Sequence, residues 1–162
     1  YTFVCNYKVM DRISKHISYK EATRSNTALR RGIDNIPDVE ELENMKLIAE
    51  KVFEPLREFV KGPVKINSFY RSPELNVAIG GSKKSQHCHG QAIDLDDTYG
   101  HRTNASMFTF IKNHLDFDQM IWEFGDDKNP AWVHVSYVSG DENRHRCLKA
   151  YKENGKTKYK VI

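Results

Sequence analysis

Cysteine is scarce in this chain. Three are spread over 162 residues, at Cys5, Cys88 and Cys147, and none forms a Cys-x-x-Cys pair. An odd, widely spaced set argues against a disulfide scaffold and excludes a cysteine-rich zinc finger. Long hydrophobic runs are missing too. Apolar stretches last a few residues, far short of the roughly 20 that cross a bilayer, so no membrane insertion is expected. Neither sign of charge prevails. Twenty-five Lys and Arg face 22 Asp and Glu, a net charge of +3, too little to argue for a nucleic-acid partner. No internal repeat or low-complexity tract occurs. No charged-then-apolar leader opens the chain, and Tyr1 stands where an initiator Met would. Tyr1 is therefore expected to follow a removed segment or a cloning boundary.

What is present suits one domain. Hydrophobic residues make up 39% and charged residues 29%, a globular composition, and the length supports a substantial core. Residues 1–17 read as an N-terminal extension, 18–140 as the main domain and 141–162 as a basic hairpin of the same domain. A monomer is the favoured state.

Periodicity places the elements. Ser18-Tyr19-Lys20-Glu21 is a capping-box pattern that starts a short helix. Residues 25–37 read as an irregular connection. Residues 38–60 carry apolar side chains at three-and-four spacing from Leu42 to Val60, one stripe of a core-facing helix. Pro55 should kink or split it. Residues 64–68 read as a strand, Ser72-Pro73 as the cap and first position of a short helix, and 82–90 as a polar loop. Residues 91–96 suit a strand with two different faces. A second amphipathic helix spans 104–115. Strands at 118–124 and 132–138 form an antiparallel pair across a turn. Asn154-Gly155 between alternating runs signals a final hairpin. The order predicts an α+β fold: a mostly antiparallel sheet with helices packed on one face.

Seven histidines stand out against this background. His87, Cys88, His89, Asp94 and Asp96 all fall within residues 85–96. Imidazole and carboxylate are ordinary zinc ligands, and a catalytic zinc takes three of them and keeps one position open. A loop histidine and a strand aspartate converge on one ion if Gly90 turns the chain between them. The alternative is a pair of surface histidines. His134, in Trp132-Val133-His134-Val135-Ser136-Tyr137, is either a third ligand or a satisfied core residue. In a strand it points the same way as Trp132 and Ser136.

The pattern Ser85-x-His87-x-x-Gly90-x-Ala92-x-Asp94, followed by Trp132 to Tyr137, resembles the zinc D-Ala-D-Ala carboxypeptidase family. That family includes phage endolysins and shares its fold with hedgehog amino-terminal domains. The run Ser68-Phe69-Tyr70-Arg71-Ser72-Pro73-Glu74-Leu75-Asn76 resembles its upstream segment, with Phe69 where glycine is usual. Glu21-Ala22-Thr23 and Pro55-Leu56-Arg57 share the likeness, which covers roughly residues 17–137. The resemblance implies the hedgehog/DD-peptidase fold and one zinc ion held by His87, Asp94 and His134. It implies that Arg71 binds a substrate carboxylate, a role its planar fork suits. The implied activity is hydrolysis of peptidoglycan stem peptides, as a carboxypeptidase or an endopeptidase.

One departure from the family bears on catalysis. Several members carry Glu three residues before the last histidine ligand, where this chain has Ala131. The expected substitute is Glu123 on the partner strand. One hairpin register turns it toward His134, and the other turns it away. The missing Glu also keeps open a non-catalytic zinc-containing module of the same fold, binding the cell wall or a protein. His89 and Trp132 are candidate substrate contacts, and His89 and Asp96 candidate supports for the ligands. Cys88 as a fourth ligand would close the site and make it structural. The lysines at 149, 152, 156, 158 and 160 are either a solvated face or a contact for anionic polymers. A small domain without a separate wall-binding module suits a phage or prophage product, made in the host cytoplasm and acting at the cell wall.

Overall fold

A computed structural model describes residues 12–162. Residues 1–11, with Cys5 and most of the expected N-terminal extension, lie outside the described residues. The first elements form a small antiparallel pair, β1 (Arg12–Ser14) and β2 (Ile17–Ser18). Two short helices follow, α1 (Tyr19–Thr23) and α2 (Asn26–Arg31). Ser18 caps α1 by accepting the Glu21 N–H.

Helix α2 corrects the expectation of an irregular connection there. It is six residues long and buries only Ala28, so it has no apolar stripe to read. Its signals were at its ends. The Ser25 hydroxyl accepts the Ala28 N–H, and Gly32 closes the helix with φ +63°, the left-handed cap that glycine favours.

The expected long helix is α3 (Val39–Ile48), one π-helical turn (Ala49–Phe53) and α4 (Glu54–Val60). Proline has no N–H to give and its ring crowds the carbonyl four residues back. A widened turn immediately before Pro55 meets that constraint, with the Glu54 N–H bonded to the Ala49 carbonyl. The apolar stripe stays continuous: Leu42, Met45, Ile48, Ala49, Val52, Phe53, Leu56 and Val60 are all buried.

The main sheet has six strands: β3 (Lys65–Ser68), β4 (Ala92–Asp96), β5 (Gln119–Glu123), β6 (Trp132–Ser136), β7 (Arg146–Glu153) and β8 (Lys156–Val161). Their order is β3-β4-β6-β5-β7-β8, and every pairing is antiparallel except β5 with β7. Helix α5 (Pro73–Ala78) leaves β3 behind its Ser72 cap, and α6 (Asn104–His114) connects β4 to β5. No helix among the described residues is long and apolar enough to cross a membrane.

One sheet face packs against the helices. Ile93 and Leu95 of β4, Met120 of β5, Val133 and Val135 of β6 and Cys147 of β7 join the residues of α3, α4 and α6 in one buried cluster. In one row across the strands, the other face carries polar side chains on β4 and β6 and apolar ones on β5 and β7, in register. Asp94, His134, Ile121 and Leu148 pair in turn across β4, β6, β5 and β7. Alternation along each strand thus separates a packed face from a chemical one.

Candidate metal centre

Three segments build the centre. A turn of 3-10 helix (Gln86–His89) presents His87, β4 presents Asp94 and β6 presents His134. The Ser85 hydroxyl accepts the His87 N–H and so caps the turn. Gly90 then reverses the chain with φ +70°. A Cβ there would lie 2.4 Å from the Glu41 carbonyl and 2.7 Å from Met45. Glycine is therefore needed twice, for the left-handed backbone and for the close packing on α3.

The three side chains offer one ligand atom each within 4.8 Å of one another, a group that can hold a metal ion. His134 Nδ1 lies 2.8 Å from Asp94 Oδ1, and His87 Nε2 lies 3.3 Å from Asp94 Oδ2. His87 Nδ1 is 2.7 Å from the Phe69 carbonyl. A carbonyl only accepts, so Nδ1 carries the proton and Nε2 of the neutral ring is a bare lone pair. Burial drives the His87 pKa down, against the pull of Asp94, and favours that neutral ring. Nε2 is buried with no hydrogen-bond partner. A lone pair and a carboxylate therefore face each other across a gap, an arrangement that a cation completes. Burial alone would raise the Asp94 pKa, but His87 and His134, when they carry a proton toward it, hold it far below the usual carboxylate range.

Arg71 lies alongside. Its Nη2 is 3.6 Å from Asp94 Oδ2. Nε donates to the Ser68 hydroxyl at 3.1 Å and Nη1 to Asn76 Oδ1 at 3.3 Å. Asn76 is itself buried and donates to the Ser82 carbonyl. The Arg71 N–H also bonds to the His87 carbonyl. Ser68 and Asn76 lie in the quoted upstream run, yet nothing in their spacing marks them as supports of Arg71.

Glu123 takes the register that faces this centre. It pairs with Trp132, and Ile121 with His134, so Glu123, Trp132 and His134 share a face. All three line a cleft of about 760 Å3 together with Arg71, His87 and Asp94. Glu123 is only 8% exposed. Burial raises its pKa, His134 opposes this and Asp94 adds to it, leaving it at about 7. Ala131 is exposed at the strand entrance.

Three other candidates are placed elsewhere. His89 is exposed and outside the cleft lining, with its carbonyl accepting from Asn44. Asp96 turns to Asn104 at the start of α6, 2.8 Å away, and to the Thr98 hydroxyl, and contacts neither histidine ligand candidate. Cys88 is not a member of the metal-binding group. Burial raises its thiol pKa, which keeps it protonated.

One further support was not foreseen. Gln86, next to His87, donates to Asp118 Oδ2 at 2.9 Å, and Arg144 grips the same carboxylate through Nε at 2.9 Å and Nη2 at 2.8 Å. The three residues are far apart in sequence, so no local pattern announces them.

A buried histidine and aspartate with a second histidine form a group that can hold a metal ion, and a buried carboxylate lines the same cleft. The family model described as Peptidase M15 matches residues 15–136.

The chain belongs to the peptidase M15 family.

It is accordingly a metallopeptidase by family, zinc-dependent and directed at peptidoglycan in general. The α+β fold expected from the sequence agrees with that membership. No curated protein matches the chain. The matched span ends in β6, so β7 and β8 lie beyond it.

Proposed function

We propose that this M15 peptidase hydrolyses peptide bonds in peptidoglycan stem peptides, with His87, Asp94 and His134 holding one zinc ion. The observation that carries the reading is the buried, partnerless Nε2 of His87 facing Asp94. When bound, zinc supplies an activated water and a Lewis acid for the scissile carbonyl. Glu123 serves as the general base, taking a proton within the cleft and returning it to the leaving amine. A base titrating near neutrality suits both transfers, and its pKa of about 7 fits. Arg71 anchors a substrate carboxylate, its fork held by Ser68 and Asn76, and so sets which bond is presented. Trp132 forms part of the wall against which the peptide lies.

The alternative is a zinc-containing binding module without turnover, suggested by Ala131. A buried carboxylate in the cleft favours catalysis. Mass spectrometry of purified peptidoglycan digested by the zinc-loaded protein tests the proposal and names the bond. New stem-peptide fragments that vanish with a chelator are expected; binding without fragments at any pH from 5 to 9 would establish the module. Single replacement of His87, Asp94 or His134 by Ala should remove stoichiometric zinc, read by metal analysis after dialysis. Full zinc retention in all three variants would refute the ligand set.

A further inference from the structure

The β7–β8 hairpin lies beyond the family match, yet it forms one wall of the same cleft. Leu148 and Lys152 of β7 and Thr157 and Tyr159 of β8 line the cleft with Glu123 and His134. The register shows how. Trp132, Glu123, Ala150 and Tyr159 pair in turn across β6, β5, β7 and β8. Lys152 and Thr157 pair one step further along the hairpin. The floor between is apolar, made of Ile121, Leu148 and Ala150 with Phe124 against them. Burial and the Glu123 carboxylate both raise the Tyr159 hydroxyl pKa, so the two groups share one environment.

The lysines of the hairpin are not equivalent. Lys149 pairs with Asp127 and Lys158 with Glu153. Lys160 lies over Tyr151. Lys152 lines the cleft, and among the described residues it pairs with no carboxylate. Its Nζ donates to the Thr157 hydroxyl at 2.7 Å and sits 5.5 Å from the Phe124 ring centroid. This exposed ammonium, held by Thr157 near an aromatic face and without a counter-ion, is available to an anion.

We propose that the hairpin is a substrate subsite in which Lys152 binds a carboxylate on a residue of the peptide, while Tyr159 and Leu148 pack against that residue. The inference rests on the reading of the centre as hydrolytic and of Arg71 as the other carboxylate anchor. Arg71 and Lys152 then hold the peptide at opposite ends, with the metal centre between them. Neighbouring strands lie about 4.8 Å apart, so β6 to β7 is about 10 Å across. Lys152 stands four residues along β7 from Leu148, the residue level with His134, about 13 Å more. The two backbone positions are about 16 Å apart, the reach of about five residues of extended chain. Allowing for the length of the lysine side chain, the recognised carboxylate sits about three to five residues from the scissile bond, on the side away from Arg71.

Calorimetric titration of the zinc-loaded Glu123→Gln protein tests this. The probes are synthetic peptides with a free C-terminus, carrying Glu or Gln at the third, fourth or fifth residue from the bond. At one position the Glu peptide should bind about five- to tenfold tighter than its Gln twin, the scale of a partly screened ion pair. Lys152→Gln, in the same protein, should reduce that ratio to about one, and Lys152→Arg should keep it. A ratio of one at all positions, or a ratio that survives Lys152→Gln, overturns the subsite. Turnover of the same peptides by the otherwise unaltered enzyme is scored separately. Hydrolysis without a Lys152-dependent preference leaves the catalytic reading standing alone. A Lys152-dependent preference without hydrolysis leaves the subsite standing and removes the catalytic reading.

Discussion

Glu123 shows what a single side chain contributes and costs. A raised carboxyl pKa means that the folded protein holds the proton more tightly than the unfolded chain. Its stabilising contribution is complete below the ordinary value of 4.5 and is lost as pH rises through about 7. The metal-free protein should therefore lose stability across that window relative to Glu123→Gln, which does not titrate. At pH 8 the variant should be the more stable by on the order of 2 kcal/mol, read by urea denaturation in chelator. Equal stabilities at pH 5 and pH 8 would show that burial does not strain this carboxylate. With zinc loaded, the same variant should keep its metal and lose hydrolysis. His87, Asp94 and His134 were legible as candidates because their types and order match the family's motif, where spacing alone left surface or core histidines open; the structure brings their ligand atoms within 4.8 Å of one another. The roles of Ser68, Asn76 and the Phe69 carbonyl were not, because support of a side chain depends on which atoms folding brings within 3 Å or so.

Among elements, the 3-10 turn that carries His87 depends on a contact with another part of the chain. Gln86 and Arg144 converge on Asp118, which is 2% exposed. Burial would raise the Asp118 pKa, but the bonds from Arg144 and Gln86 keep it below the usual value of 3.8. A lowered carboxyl stabilises the fold above its unfolded pKa, and this is lost as pH falls through the folded one. Asp118→Asn should cost about 1–3 kcal/mol at pH 7. The difference should shrink below pH 3.8, a trend that chemical denaturation at several pH values would reveal. An undiminished difference at low pH would assign the loss to packing. The long helices and the Asn-Gly hairpin were readable because periodicity and turn chemistry are local. Helix α2 was not, since six residues with one buried side chain leave no period. The π turn before Pro55 was legible only as an interruption, because the chain can answer a missing donor by kinking, breaking or widening.

For the whole molecule, metal and fold are linked. An ion that binds only the folded state stabilises it by mass action, about 2.7 kcal/mol at a hundred times Kd. Zinc at that level should raise the Tm by about 5–10 °C for a chain of this size, and His87→Ala should abolish the shift. An identical Tm with zinc and with chelator would mean that no preformed site exists. The amino-acid sequence by itself determined the class of fold, the helix stripe, the strand alternation and the residue types of the metal group, because these are set by local period and side-chain chemistry. Only the tertiary structure decided that β5 and β6 pair so that Glu123 faces His134, and that the hairpin beyond the family match closes the cleft with Lys152. A strand has period two, so either register satisfies its own pattern, and only packing against the helices selects the face that becomes the site.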